Sequence, residues 1–271
     1  MKNPFGPRGA ARGAGPLAVP CLLIAIAIPG SAGLHVDVRD GRPVVHGVYV
    51  NGRGPFRFLV DTGATFNHLD PRIAAKIEPA DIFRTLLSSP TGFTHVMGMT
   101  GLDIELAPVA LHNQTFLLEM AAVHPSLPDV EGVLGEEFLS HFDYSIDLRA
   151  GRLEFGEPSP RRNGRQISYR IDHRRPVVET SLGWLLLDSG ANKLIRFGVL
   201  SKRAVGELRT VTGTASAGLV YSSLAIGGHV YWHGDAVALS RGAEPSIDGL
   251  LPIGLFRSIT VCNSAGFVVF E

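Results

Sequence analysis

Cysteine is scarce, with two residues in 271, Cys21 and Cys262. Removal of the N-terminal run that contains Cys21 leaves a single thiol, which excludes an internal disulfide framework. Pro20 precedes Cys21 and most of the apolar run follows it, an order that excludes a lipoprotein site. No CxxC or HExxH spacing occurs, so the common zinc patterns are missing. Net charge is absent too: 25 basic residues balance 25 acidic ones. That balance argues against nucleic-acid binding and against electrostatic membrane binding, both of which need charge of one sign. The apolar stretch from Pro16 to Ile28 is short for a membrane span and is interrupted by Pro20.

What is abundant is glycine, at 32, and proline, at 18, set among short runs of Val, Ile, Leu, Phe and Thr. With 45% hydrophobic residues the chain can build one large domain or two small ones, of an all-β kind rich in turns. Lys2, Arg8 and Arg12 followed by the apolar stretch and Gly30-Ser31-Ala32 read as a signal peptide over 1–32, cleaved after Ala32. Export to a periplasm or out of the cell is therefore expected, with an uncleaved membrane anchor as the alternative. Cys262, in Ile259-Thr-Val-Cys262, reads as a buried, inert thiol.

Val44 to Val50, Asn51-Gly52 and Phe56 to Val60 predict a β-hairpin, since Asn-Gly accepts the positive φ angles of a type I′ turn. Asp70-Pro71 predicts a helix start, with Asp as N-cap and Pro at the first helical position. Strands follow between about 92 and 123, then a short helix over 136–141 and a closing hairpin over 144–155. Residues 157–176, with six arginines, read as a solvated linker between a first lobe at 33–156 and a second at 177–271. The second lobe repeats the order of the first: a hairpin over 177–187, a helix near 199–205, then Gly-rich strands in which Gly213 and Gly218 mark turns.

The repeat centres on two segments, Phe58-Leu-Val-Asp61-Thr62-Gly63-Ala64 and Leu185-Leu-Leu-Asp188-Ser189-Gly190-Ala191. In each, an apolar strand holds a carboxylate at a fixed point. The small hydroxyl residue can bond neighbouring backbone, and the glycine permits close approach. One Asp-(Ser/Thr)-Gly would arise by chance in roughly one such chain in ten to twenty, but two in matching context form a pattern. Gly132-Val133-Leu134-Gly135 follows the first motif and Gly249-Leu250-Leu251 the second.

On these residues the chain resembles the pepsin and retropepsin superfamily of aspartic proteases, in particular the short bacterial aspartyl-protease-family proteins, over most of residues 36–271. The resemblance implies an all-β, bilobal acid-protease fold with pseudo-two-fold symmetry. It implies an aspartic endopeptidase whose catalytic pair is Asp61 and Asp188, or, as the alternative, a catalytically silent peptide-binding homologue. Thr62, Gly63, Ser189 and Gly190 would support the active-site loops, and Val133, Leu134 and Gly135 would brace the first. The second brace departs from the pattern, with Pro252 after Leu250-Leu251 where glycine is usual, and a Tyr-Gly-Thr-Gly flap is absent. Gly98-Met99-Thr100-Gly101 occupies roughly the flap region.

Such a pair of carboxyls shares one proton and activates water without a metal or organic cofactor. The expected partner is a peptide or protein in the cleft between lobes of a monomer, with no nucleic acid, and no membrane once the leader is cleaved. His229 and His233 lack a third ligand for a metal. Ser216 misses the Gly-x-Ser-x-Gly pattern of a serine hydrolase.

Overall fold

A computed structural model describes residues 33–271 except 90, 157–164, 202, 211, 242 and 243. The leader expected over 1–32 and the first part of the linker expected over 157–176 lie outside the described residues. The first half holds ten strands: Leu34–Arg39 (β1), Arg42–Val50 (β2), Arg53–Val60 (β3), Asn67–Leu69 (β4), Asp81–Ser89 (β5), Gly92–Leu106 (β6), Val109–Leu117 (β7), Gly132–Leu134 (β8), Tyr144–Asp147 (β9) and Arg152–Phe155 (β10). Two single-turn helices accompany them, Pro71–Ala74 (α1) and Glu136–Leu139 (α2). The second half holds Arg165–Asp172 (β11), Arg175–Thr180 (β12), Gly183–Asp188 (β13), Ile195–Phe197 (β14), Arg203–Thr210 (β15), Gly213–Ile226 (β16), His229–Leu239 (β17), Gly249–Pro252 (β18), Ser258–Cys262 (β19) and Phe267–Phe270 (β20).

Local chemistry explains the turns. Asn51 (φ 47°) and Gly52 (φ 69°) both sit in the left-handed region, as the β2–β3 hairpin requires. Asp70 caps α1 by accepting the Arg72 amide at 2.8 Å, with Pro71 at the first helical position.

The pairings of the first half recur in the second with ten added to each strand number. β2 pairs antiparallel with β1 and β3, and β6 with β5 and β7. β3 lies parallel to β8 and β4 parallel to β7, while β4 runs antiparallel to β8. β11–β18 repeat this scheme; the first half adds a β2–β6 pairing. A six-stranded sheet in the order β1-β10-β9-β19-β20-β11 joins the halves, meeting at Ile146↔Ile259 of β9 and β19. The largest core cluster draws on both halves, including Phe58, Phe138 and Tyr144 from one and Leu185, Phe256 and Phe270 from the other. Burying each such side chain contributes about 1.5–3 kcal/mol. β13 is buried on both faces at Leu185–Asp188, which accounts for its unbroken apolar run.

Four expectations need correction. The arginine-rich stretch is a strand from Arg165 onward: Ile167 and Tyr169 pack against the core while Gln166, Ser168 and Arg170 face outward. The charge run is therefore not a continuous linker from Arg165 onward: Arg170 lies on the outward face of β11 and Arg175 opens β12. No helix forms among the described residues of 199–205. Gly198 turns the chain (φ 69°), Ser201 bonds the Leu219 carbonyl and the Arg203 amide, and β15 then begins. The Asp N-cap and Pro of α1 have no counterpart there. Cys262 is half-buried at the end of β19, 3.7 Å from the Asp143 carboxylate, and is not sealed in the core. Gly213 does mark a hairpin turn, whereas Gly218 lies within β16.

Candidate active site

Asp61 follows β3 and Asp188 ends β13, so two buried strands deliver the carboxylates. Each delivering strand has a parallel brace. β8 pairs Val60 with Leu134, and the Leu134 carbonyl accepts the Asp61 amide at 2.9 Å. In the second half, β18 pairs Leu187 with Leu251 and Asp188 with Pro252. The brace therefore exists in both halves despite Pro252. Gly135 is required sterically, because a Cβ there would lie 2.3 Å from the Phe66 carbonyl oxygen.

Thr62 and Ser189 are fully buried and lock the loops across the interface. Thr62 Oγ1 donates to the Leu187 carbonyl at 2.7 Å and accepts the Ser189 amide at 3.1 Å. Ser189 Oγ donates to the Val60 carbonyl at 2.7 Å and accepts the Thr62 amide at 2.9 Å. Each glycine of the motifs faces the opposite aspartate. A Cβ on Gly63 would lie 2.6 Å from Asp188 Cγ, and one on Gly190 2.5 Å from Asp61 Cγ. Only a residue without a side chain lets the loops approach this closely.

The two carboxyls lie within hydrogen-bonding reach of each other. Gly63 N–H donates to Asp61 at 2.8 Å, while Gly190 and Ala191 N–H donate to Asp188 at 2.9 and 2.8 Å. Burial raises the Asp61 pKa above the usual carboxylate range, against the Gly63 amide and His68. Burial, and then the charge of Asp61, push Asp188 well above it. The pair therefore retains a proton where isolated carboxylates would have lost theirs.

Several contributors were not apparent in the sequence. His68 on β4 lines the cavity beside the dyad, where Nδ1 donates to the Glu119 carbonyl at 3.0 Å and burial keeps the ring neutral. Glu136 at the start of α2 is fully buried, its pKa raised well above normal by burial, and its Oε1 accepts from Tyr144 at 3.3 Å. Arg42 and Arg175 open β2 and β12 and reach the cleft. Their signal is present but easily overlooked: Arg-Pro-Val-Val occurs at 42–45 and again at 175–178.

Gly98–Gly101 lie in the body of the β5–β6 hairpin, with Gly98 against the Phe83 ring and Met99 in the core. Leu87, Ser88 and Ser89, near the tip of that hairpin, are the part that reaches the cleft. There it meets the tip of β15–β16. Ser89 Oγ lies 2.5 Å from Thr212 Oγ1 and 3.3 Å from Thr210 Oγ1, and Thr91 Oγ1 contacts both threonine hydroxyls. Two hairpins thus close over the dyad, one from each half. Beneath them, a cavity of about 170 Å³ borders the Asp61 loop and one of about 390 Å³ borders the Asp188 loop, both reaching the two aspartates. Among the described residues, no group of three or more His, Cys, Asp or Glu side chains could hold a metal, and no helix is long and apolar enough to cross a membrane.

Comparison with known proteins agrees with this geometry. A family model described as aspartyl protease matches residues 47–138, a span that contains Asp61 and its brace but not Asp188. No curated protein matches the sequence. Among solved structures, basic 7S globulin from soybean is similar in fold, with a TM-score of 0.50 and 11% identity, over 88% of this chain and 94% of that one. Residues 47–138 thus match the aspartyl protease family, and the described residues have a pepsin-like aspartic protease fold.

Proposed function

We propose that this chain is an aspartic endopeptidase that hydrolyses peptide bonds with water activated between Asp61 and Asp188. The observation that carries the reading is the crossed approach of the two Asp-(Thr/Ser)-Gly loops. It brings two carboxyls into hydrogen-bonding reach at the floor of a covered cleft. The ionised member takes a proton from the water, and the protonated member donates to the peptide carbonyl. Attack gives a tetrahedral intermediate with no covalent bond to the protein, and the dyad then protonates the departing amine. Because one chain supplies both aspartates, the working unit is a monomer. An extended peptide would lie in the cleft beneath the two hairpins.

Cleavage of an unfolded protein substrate tests the reading. Asp61→Asn and Asp188→Asn should each lower the rate by roughly a thousandfold. Cleavage at the wild-type rate by either variant would remove the dyad from the mechanism. We also propose export, supported by the basic and apolar order of residues 1–32. N-terminal sequencing of the protein recovered from its host should begin at Gly33, and an intact Met1 in that material would count against it.

A further inference from the structure

Arg42 and Arg175 occupy equivalent places. Two residues beyond each, Val44 and Val177 pair with Leu59 and Leu186, and each of these leucines lies two residues before its aspartate. The surroundings of the two guanidiniums differ. Arg175 bonds Asp172 at 2.8 Å and Glu244 at 3.2 Å, and contacts the Gly63 carbonyl at 3.4 Å. Among the described residues the Arg42 guanidinium has one hydrogen bond, to Ser126 Oγ at 2.9 Å, and its Nε is buried with no partner. Among the described residues, no carboxylate lies within ion-pair distance of it.

The difference is built into the sequence. Asp172 is the cross-strand neighbour of Arg175, and at the matching position beside Arg42 stands Arg39. Arg39 is itself held by Asp129 and Asp37. The loop after β17 brings Glu244 to Arg175, whereas the loop after β7 brings the neutral Ser126 to Arg42. Arg42 is only 8% exposed, and a charge so buried is costly unless something neutralises it. It lines the 390 Å³ cavity beside the dyad, together with Lys193, which is exposed and makes no ion pair among the described residues. Leu208, Val237, Leu239 and Leu250 give that cavity an apolar wall, while Ser89, Asn192, Thr210 and the two aspartates complete its lining. The smaller cavity, on the Asp61 side, contains Arg175 already neutralised by Glu244.

From this asymmetry we infer that the cavity at Arg42 receives a carboxylate of the substrate. The cleft selects peptides carrying an Asp or Glu side chain on one side of the scissile bond. The carboxylate pairs with Arg42, Lys193 adds long-range attraction, and the side-chain stem packs on the apolar wall. The inference rests on the endopeptidase reading but has its own readout. End-blocked peptides differing only in Glu or Gln, at each of the three positions on either side of the cleavage point, would be compared at pH 6, where a free Glu is ionised. The wild-type protein should favour Glu at one side by roughly tenfold or more in kcat/KM. Arg42→Gln should bring that ratio to about one, Arg42→Lys should keep part of it, and Lys193→Gln should lower it several-fold. Lack of any Glu preference in the wild type, or an unchanged ratio in a cooperatively folded Arg42→Gln protein, would overturn the inference. If no peptide is cut, the endopeptidase reading fails, and binding of the same peptides carrying a fluorophore decides the carboxylate site alone: tighter binding of the Glu peptide supports it, and equal affinities reject it.

Discussion

Thr62 and Ser189 each direct a hydroxyl proton to a carbonyl of the opposite half and receive an amide in return. Thr62→Val keeps the shape but strands the buried Ser189 amide and Leu187 carbonyl. It should therefore lower unfolding stability in urea by about 1–3 kcal/mol, with Thr62→Ser closer to wild type. The aspartates act in the opposite direction. Burial and mutual charge raise Asp188 well above its ordinary value of 3.8, so the unfolded chain releases this proton more readily than the folded one. The contribution of Asp188 to stability is then fully present below its ordinary value and is lost as pH rises through the folded pKa. Asp188→Asn should consequently raise Tm at neutral pH, with the gain shrinking as pH falls toward 4. A gain independent of pH would show that ionisation of Asp188 is not the strain being relieved.

At the scale of elements, the covering hairpins are tied at their tips by four hydroxyls, from Ser89 and Thr91 on one side and Thr210 and Thr212 on the other. These contacts are side chain to side chain at the cleft mouth, and each such bond contributes about 0.5–1.5 kcal/mol. The combined Thr210→Val, Thr212→Val change should release the tips. Hydrogen exchange of the amides between Ser88 and Gly92 should accelerate several-fold, while exchange in β3 and β13 stays slow. Where these tips fall could not be read from composition. Gly98 and Gly101 attract attention as flexible points, yet the β5–β6 register, Ser89 opposite Gly92, decides which residues turn. The helix expected near 199–205 fails for a similar reason: with no cap to start it, the chain from Arg203 onward pairs with β16 instead.

At the scale of the whole molecule, each half contributes three strands to one six-stranded sheet and side chains to one shared core. Neither half can lose its fold without exposing the β9–β19 edge and the buried motif loops. Both tryptophans, Trp184 and Trp232, lie in the second half, so their fluorescence reports that half alone, whereas far-UV circular dichroism reports both. The two unfolding curves in urea should coincide. A fluorescence midpoint separated from the dichroism midpoint would show that the halves unfold independently.

The sequence by itself determined the delivery of the carboxylates. Apolar runs ending in Asp61 and Asp188, the hydroxyl and glycine after each, and the Gly-led braces are local patterns, and local patterns dictate strands and turns. Tertiary structure alone decided the rest: that Pro252 still braces the second loop, that His68 and Glu136 flank Asp61, that the hairpin tips meet, and that Arg175 is neutralised while Arg42 is not. Each of those depends on groups brought together by strand register and by the joining of the halves, often from positions far apart in the chain, and spacing along a chain carries little information about such encounters.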